Sequence, residues 1–237
     1  MNKTKFFGRV YLAIVLLVVF AVNSALTHAA EPEDIRVVLA GDSTVTDKAG
    51  WGAAIGSFFE PNVKVINHAC GGRSSKSFII EGRLKKALAE RPDYLFIQFG
   101  HNDCPGKGPK RETDPDSSYM DYLKVYVKEA RKVGAKPILL TPMTRRHYDE
   151  RGKIKSILTP YAKAVRRVGK EEGVPVINLY AGSVELFERL GDSGSNDLQP
   201  KGDRTHFNAK GAKAMAKIIV QGLKEADAKL AKSLKKD

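Results

Sequence analysis

The residues able to do chemistry fall in four short polar blocks. The first, Gly41-Asp42-Ser43-Thr44, follows directly on the apolar run Ile35–Ala40. The last, Asp203-Arg204-Thr205-His206, lies towards the C-terminal end. A serine hydroxyl becomes an effective nucleophile when an imidazole takes its proton and a carboxylate orients that imidazole. Asp203 precedes His206 by three positions, a spacing that brings two side chains together on a helical turn. Asp203 is then placed to hold the Nδ1 proton of His206 and leave Nε2 for the proton of Ser43. The other four histidines have no acidic residue three positions before them. Acyl transfer also needs N–H donors aimed at the developing oxyanion. Two candidates follow later apolar runs: Gly72 in Asn67-His68-Ala69-Cys70-Gly71-Gly72, and the Asn102 amide in Gly100-His101-Asn102-Asp103. Each piece also has an ordinary reading: Gly-Asp-Ser and Asn as turn formers, paired glycines as a tight turn, Asp203 as a helix cap.

Such residues need a scaffold that carries them to one place. Five near-continuous apolar runs read as strands covered on both faces: Ile35–Ala40, Val63–Asn67, Tyr94–Phe99, Pro137–Thr141 and Pro175–Leu179. Helix-periodic stretches lie between them at Trp51–Phe59, Phe78–Ala89, Tyr119–Val133 and Ile157–Glu171, with Gly173 as a stop for the last. Val184–Leu190 and Ala209–Leu234 complete the pattern. Strand alternating with helix predicts an α/β protein, a three-layer α/β/α sandwich around a five-stranded parallel sheet, flavodoxin-like in layout. Three of the polar blocks then sit at the carboxyl ends of strands, where open α/β sheets place ligands. The Gly-, Pro- and charge-rich stretch Cys104–Ser118 reads as a loop beside them.

Residues 1–30 read as a secretory signal peptide. Lys3, Lys5 and Arg9 form a basic start, Val10–Val22 an apolar core short for a membrane span, and Thr27–Ala30 a small-residue cleavage region. This predicts a secreted or periplasmic protein without stable membrane insertion after cleavage, leaving one domain over residues 31–237. Removing the three basic residues lowers the formal net charge of +13 by three. The remaining excess suits an anionic partner, and export argues against nucleic acid. Much of it lies on the lysine-spaced C-terminal stretch, which reads as the wet face of an amphipathic helix. Cys70 and Cys104 are able to pair in an oxidising compartment or to remain as two free thiols. No His-x-x-x-His or Cys-x-x-Cys spacing points to a metal, and no cofactor is expected.

Taken in order, the four blocks resemble those of the SGNH (GDSL-type) hydrolases, from about Ile35 to about Val220. Within that superfamily the chain looks most like the rhamnogalacturonan acetylesterases. The details are Thr44, Gly50-Trp51-Gly52, Asn67 through Ser75, Gln98 through Asp103, Thr141 through Arg146, and Asp203 through Phe207 followed by Gly211-Ala212. The resemblance implies Ser43, Asp203 and His206 as catalytic residues. It implies an oxyanion hole from the backbone N–H groups of Ser43 and Gly72 with the Asn102 amide. The activity implied is removal of O-acetyl groups from a polysaccharide. Arg145, Arg146 and His147, just after the fourth strand, are candidates for reading a uronate carboxylate, or else face solvent and pair with Asp149 and Glu150. Trp51, the sole tryptophan, either stacks on a sugar or anchors the first helix. Alternatives on the same fold are a general GDSL-type esterase or lipase and a non-catalytic carbohydrate-binding domain. A polyanion binder acting through the basic tail is a third.

Overall fold

A computed structural model describes residues 34–236. The expected signal peptide lies outside the described residues. Five strands form one parallel sheet in the order β2-β1-β3-β4-β5: β1 (Ile35–Gly41), β2 (Val63–Asn67), β3 (Tyr94–Gln98), β4 (Lys136–Leu140) and β5 (Val176–Ile177). Register runs Val37 opposite both Val65 and Tyr94, and Phe96 opposite Ile138. Val37, Val38, Leu39 and Ala40 are all fully buried, which is why β1 carries no polar alternation. Successive side chains on a strand point to opposite faces. Val37, Leu39, Phe96 and Ile138 pack into one apolar layer, whereas Val38, Ala40, Leu95 and Ile97 pack into the other.

The first layer holds α1 (Gly52–Ile55), α6 (Leu179–Gly194), α7 (Ala209–Ala226) and α8 (Ala228–Ala231). The second holds α2 (Ser75–Ile80), α3 (Arg83–Ala89), α4 (Ser118–Lys132) and α5 (Thr159–Glu172). α5 ends at Gly173 in the left-handed region, as expected of a glycine stop.

Three expected helices are cut shorter. Phe78–Ala89 divides into α2 and α3, because the chain turns through Gly82 at φ 70°. The Ser74 side chain starts α2 in a capping box with Ser77. Trp51–Phe59 is one α-turn followed by a 3₁₀ turn over Gly56–Phe58. Ala209–Leu234 breaks at Asp227, whose extended backbone lets its carboxylate accept from the Leu230 N–H. α6 is longer than expected and kinked at Gly191, with φ 68°. β5 is two residues long, because Asn178 caps α6 where a longer strand was expected. No helix among the described residues is long and apolar enough to cross a membrane.

Strand order reverses direction between β1 and β3, so the crossovers leave in opposite senses and open a crevice at the carboxyl ends of these strands. Ser43 follows β1, and Asn102 follows β3, at that switch point.

Candidate active site

Gly41 ends β1 and has to be small. A Cβ there would lie 2.4 Å from Val45 Cγ2 and 2.8 Å from the Gln98 carbonyl oxygen. The requirement is close packing. Asp42 turns inward and is fully buried. Its Oδ1 accepts from the Thr44 N–H at 2.9 Å and the Thr44 hydroxyl at 2.7 Å. Thr44 Oγ1 in turn accepts from Gln98 Nε2 at 2.7 Å, and Gln98 Oε1 accepts from Trp51 Nε1 at 2.8 Å. This buried chain ties the Ser43 turn to β3 and to the start of α1. Burial pushes the Asp42 carboxyl up, against the lowering by its bonds to Thr44.

With Asp42 turned in, Ser43 is left half-buried at the surface. Its Oγ lies 2.8 Å from His206 Nε2, and His206 Nδ1 lies 2.8 Å from Asp203 Oδ2. A carboxylate only accepts, so Nδ1 carries the proton and Nε2 faces the serine hydroxyl as an acceptor. The three residues expected to act together are thus brought together, though not by a helical turn. Residues 199–208 are irregular. Asp203 closes its own turn, with Oδ1 accepting from the N–H groups of Thr205 at 2.7 Å and His206 at 2.9 Å. Burial pulls the Asp203 carboxyl up, but these bonds and the imidazole outweigh it and hold the group below the ordinary carboxylate range.

The turn after β2 runs against the serine. The Cys70 N–H donates to the Gly41 carbonyl at 2.9 Å, and a Cβ on Gly71 would lie 3.5 Å from Ser43 Cβ. Gly72 takes φ 78°, a conformation that favours glycine. The N–H groups of Ser43 and Gly72 donate no hydrogen bond among the described residues. Asn102 donates one amide N–H to the Arg73 carbonyl at 3.1 Å, which leaves its second N–H uncommitted.

Asp103, whose pairing 28 residues back in the chain leaves no sequence signal, locks these two turns together. Its carboxyl accepts from the Ser75 hydroxyl at 2.5 Å, the Ser75 N–H at 3.1 Å and the Thr113 hydroxyl at 3.0 Å. Burial raises this carboxyl to about 7. His101 is buried, with Nε2 3.0 Å from the Met143 carbonyl and Nδ1 3.3 Å from Arg145 Nε. The guanidinium only donates, so His101 is neutral with its proton on Nε2. Burial first, and then the Arg145 charge, lower it to about 3.

The residues expected to meet substrate separate into two groups. Arg145 lies half-buried on the asparagine block, donating through Nη2 to the His101 carbonyl at 3.0 Å, with Nη1 uncommitted. His147 is exposed nearby, and desolvation together with the charges of Arg145, Arg204 and Arg146 lowers its pKa. Arg146 corrects the expectation that the three act as a group. Its side chain is 4% exposed, and Nε and Nη1 bind Gln199, Asp192 and Asn196. The chain bends at Arg146, where the His147 N–H donates to the Arg145 carbonyl at 3.0 Å, and the two guanidinium groups go to different partners. Trp51 is fully buried with its indole N–H on Gln98, and anchors the core instead of offering a sugar platform. Both cysteines are free thiols. A groove of about 720 Å³ lies beside β5 between α6 and α7, and none of the site residues lines it. Among the described residues, no group of three or more His, Cys, Asp or Glu side chains is arranged to hold a metal ion.

A hydrogen-bonded Ser43–His206–Asp203 chain at the switch point of a five-stranded parallel sheet, with an uncommitted N–H after each of the neighbouring strands, is the layout of an SGNH hydrolase. Residues 22–214 match the GDSL-like Lipase/Acylhydrolase family, and the chain belongs to it. It is 40% identical over 220 residues to the probable rhamnogalacturonan acetylesterase YesY of Bacillus subtilis, covering 85% of this chain and 98% of that protein. It is 42% identical over 214 residues to the rhamnogalacturonan acetylesterase RhgT of the same organism, covering 81% and 90%. Among solved structures it is similar to YxiM of Bacillus subtilis, with TM-score 0.72 and 27% identity, covering 82% of this chain and 58% of that one. The acetylxylan esterase Axe2 of Geobacillus stearothermophilus shares the fold, with TM-score 0.65 and 18% identity, covering 81% and 94%.

Proposed function

We propose that this protein is a serine esterase that removes O-acetyl groups from a polysaccharide, with acetylated pectic rhamnogalacturonan as its substrate. The observation that carries the reading is the 2.8 Å contact of Ser43 Oγ with a His206 whose other nitrogen is held by Asp203. His206 Nε2 takes the hydroxyl proton as Ser43 Oγ bonds to the acetyl carbonyl carbon. The carbonyl oxygen becomes an oxyanion that the N–H groups of Ser43 and Gly72 and the free Asn102 N–H are arranged to receive. His206 returns the proton to the departing sugar oxygen, leaving an acetyl group on Ser43. Water, deprotonated by the same imidazole, bonds to the acetyl carbon; the imidazolium then returns that proton to Ser43 Oγ as its bond to the acetyl group breaks, and acetate is released.

Two curated relatives that name this polysaccharide, at 40% and 42% identity, support the substrate. Such a chain bears uronate carboxylates, and Arg145 offers a cationic partner beside the site, with the imidazole of His147 exposed nearby. The basic start, apolar core and small-residue region of residues 1–30 support export to where such polymers are met. The test is acetate release by the purified protein from acetylated rhamnogalacturonan, acetylated xylan and long-chain esters. Fastest release from the first, abolished in Ser43→Ala with polysaccharide binding retained, is expected. Normal turnover by Ser43→Ala overturns the mechanism, and faster cleavage of long-chain esters overturns the substrate.

A further inference from the structure

Asp203 and His206 lie in a segment that belongs to no helix or strand, yet the proposed reaction needs His206 Nε2 held within hydrogen-bond reach of Ser43. Phe207 anchors one side, buried and with its N–H on the Ala49 carbonyl at 2.9 Å. The other side is held through Arg204, which sits between the acid and the base. Its carbonyl accepts from the Arg146 N–H at 2.9 Å, and its Nη1 donates back to the Arg146 carbonyl at 2.8 Å. Its Nη2 donates to Asp192 Oδ2 at 2.9 Å. The second oxygen of the same carboxylate, Oδ1, accepts from Arg146 Nη1 at 3.0 Å. Arg146 also binds the Asp192 carbonyl at 2.7 Å, Asn196 Oδ1 at 2.6 Å and Gln199 Oε1 at 2.8 Å, closing the turn beyond the Gly191 kink.

We propose that Arg146, Asp192 and Arg204 are positioning residues, a guanidinium–carboxylate–guanidinium clamp that sets where His206 meets Ser43. It joins three pieces of chain that the sheet does not order: the loop after β4, the end of α6 and the acid–base segment. A carboxylate shared by two guanidinium forks resists sliding better than a single pair, because each oxygen is directed by a different planar donor. Asp192 is held below the ordinary carboxylate range, first by its bond to Arg204, so the clamp is charged at neutral pH. The clamp explains why Arg146 is buried beside a site it does not enter. It also gives Arg204 a role distinct from contact with substrate.

This inference rests on the acyl-transfer reading, and the test separates the two. The full-length protein is treated with a 4-nitrophenyl phosphonate, which labels Ser43 with release of 4-nitrophenol and needs the serine–imidazole geometry but no polysaccharide. In parallel, kcat and KM are measured on 4-nitrophenyl acetate. Misplacing a catalytic group by about 1 Å lowers rate by about 10²-fold. Arg204→Gln and Asp192→Ala are therefore expected to slow both labelling and kcat by about ten- to a hundred-fold. KM should stay within about threefold, and Arg204→Lys should recover part of the rate. These two partly exposed residues carry the test, because Arg146→Met leaves buried acceptors unpaired and endangers folding. Labelling and kcat within twofold of native in both variants overturn the clamp. A loss seen on acidic polysaccharide but not on the small acetate also overturns it, since Arg204 would then be reading substrate. A native protein that resists the phosphonate overturns the acyl-transfer reading itself.

Discussion

Replacing Asp203 with asparagine tests the proposed orienting role of this residue apart from its bulk. Three hydrogen bonds converge on the carboxylate: the Thr205 and His206 N–H groups on Oδ1, and His206 Nδ1 on Oδ2. An asparagine has one carbonyl oxygen and an NH₂ that only donates. With the oxygen left on the two backbone donors, the NH₂ faces Nδ1, which has to become the acceptor. The imidazole proton then moves to Nε2, opposite Ser43, and the base is blocked. Turning the amide over restores the tautomer but sets NH₂ against two N–H groups. Two lost bonds at about 0.5–1.5 kcal/mol each bias the side chain towards the blocked arrangement by about 1–3 kcal/mol, a factor of about 5–150. The missing negative charge further destabilises the imidazolium formed during reaction. A comparable replacement in a Ser–His–Asp protease lowers kcat by about 10⁴-fold, and a loss near that size is expected here. The assay is kcat on a chromogenic acetate at neutral pH with the melting temperature alongside. The melting temperature should move little, because the Asp203 side chain is 31% exposed and its shape is kept. A fall in kcat below tenfold, with the fold intact, refutes the relay.

Asn102→Ala removes the uncommitted amide N–H and should lower kcat on the same ester by about 10²–10³-fold with little change in KM; a KM effect alone would mark Asn102 as a binding residue. Asp103 supplies a pH test. Its carboxyl titrates at about 7 in the folded protein, whereas an unfolded aspartate does so at about 4. Between those values the folded state holds a proton that the unfolded chain has released, so this group lowers stability as pH rises from about 4 to about 7. Asp103→Asn lacks that slope, so its melting temperature should gain on the native protein across this window. A difference that does not vary with pH would show that Asp103 ionises normally.

Much of the scaffold is legible in the chain because parallel strands covered on both faces are written as near-continuous apolar runs. Ile35–Ala40, polar only at Arg36, is such a run, and Val63–Asn67 keeps enough apolar residues to show as a strand although Lys64 is exposed at the sheet edge. The helix breaks are less visible. Gly82 and Asp227 interrupt sequences that keep helical periodicity on both sides, and a backbone angle or a cap decides the break locally. The site divides in the same way. Ser43, Gly72, Asn102, Asp203 and His206 stand out because each sits beside a turn and the four blocks come in order. Thr44 and Gln98 also hold the Ser43 turn, but the bond between them spans 54 residues and no local spacing announces it.

What the sequence determines by itself is therefore the kind of chemistry and the sheet that carries it, since both follow from residue type and short-range pattern. Only the tertiary structure decides which of the polar residues face the crevice. Arg145 and Arg146 are adjacent and identical in type, yet one leaves a guanidinium nitrogen free beside the asparagine block and the other is buried on Asp192. Asp203 and His206 pair at the spacing of a helical turn without being helical, because a carboxylate that closes its own backbone turn reaches the same imidazole. Burial and hydrogen-bond saturation are properties of the packed neighbourhood, and no window of sequence contains that neighbourhood.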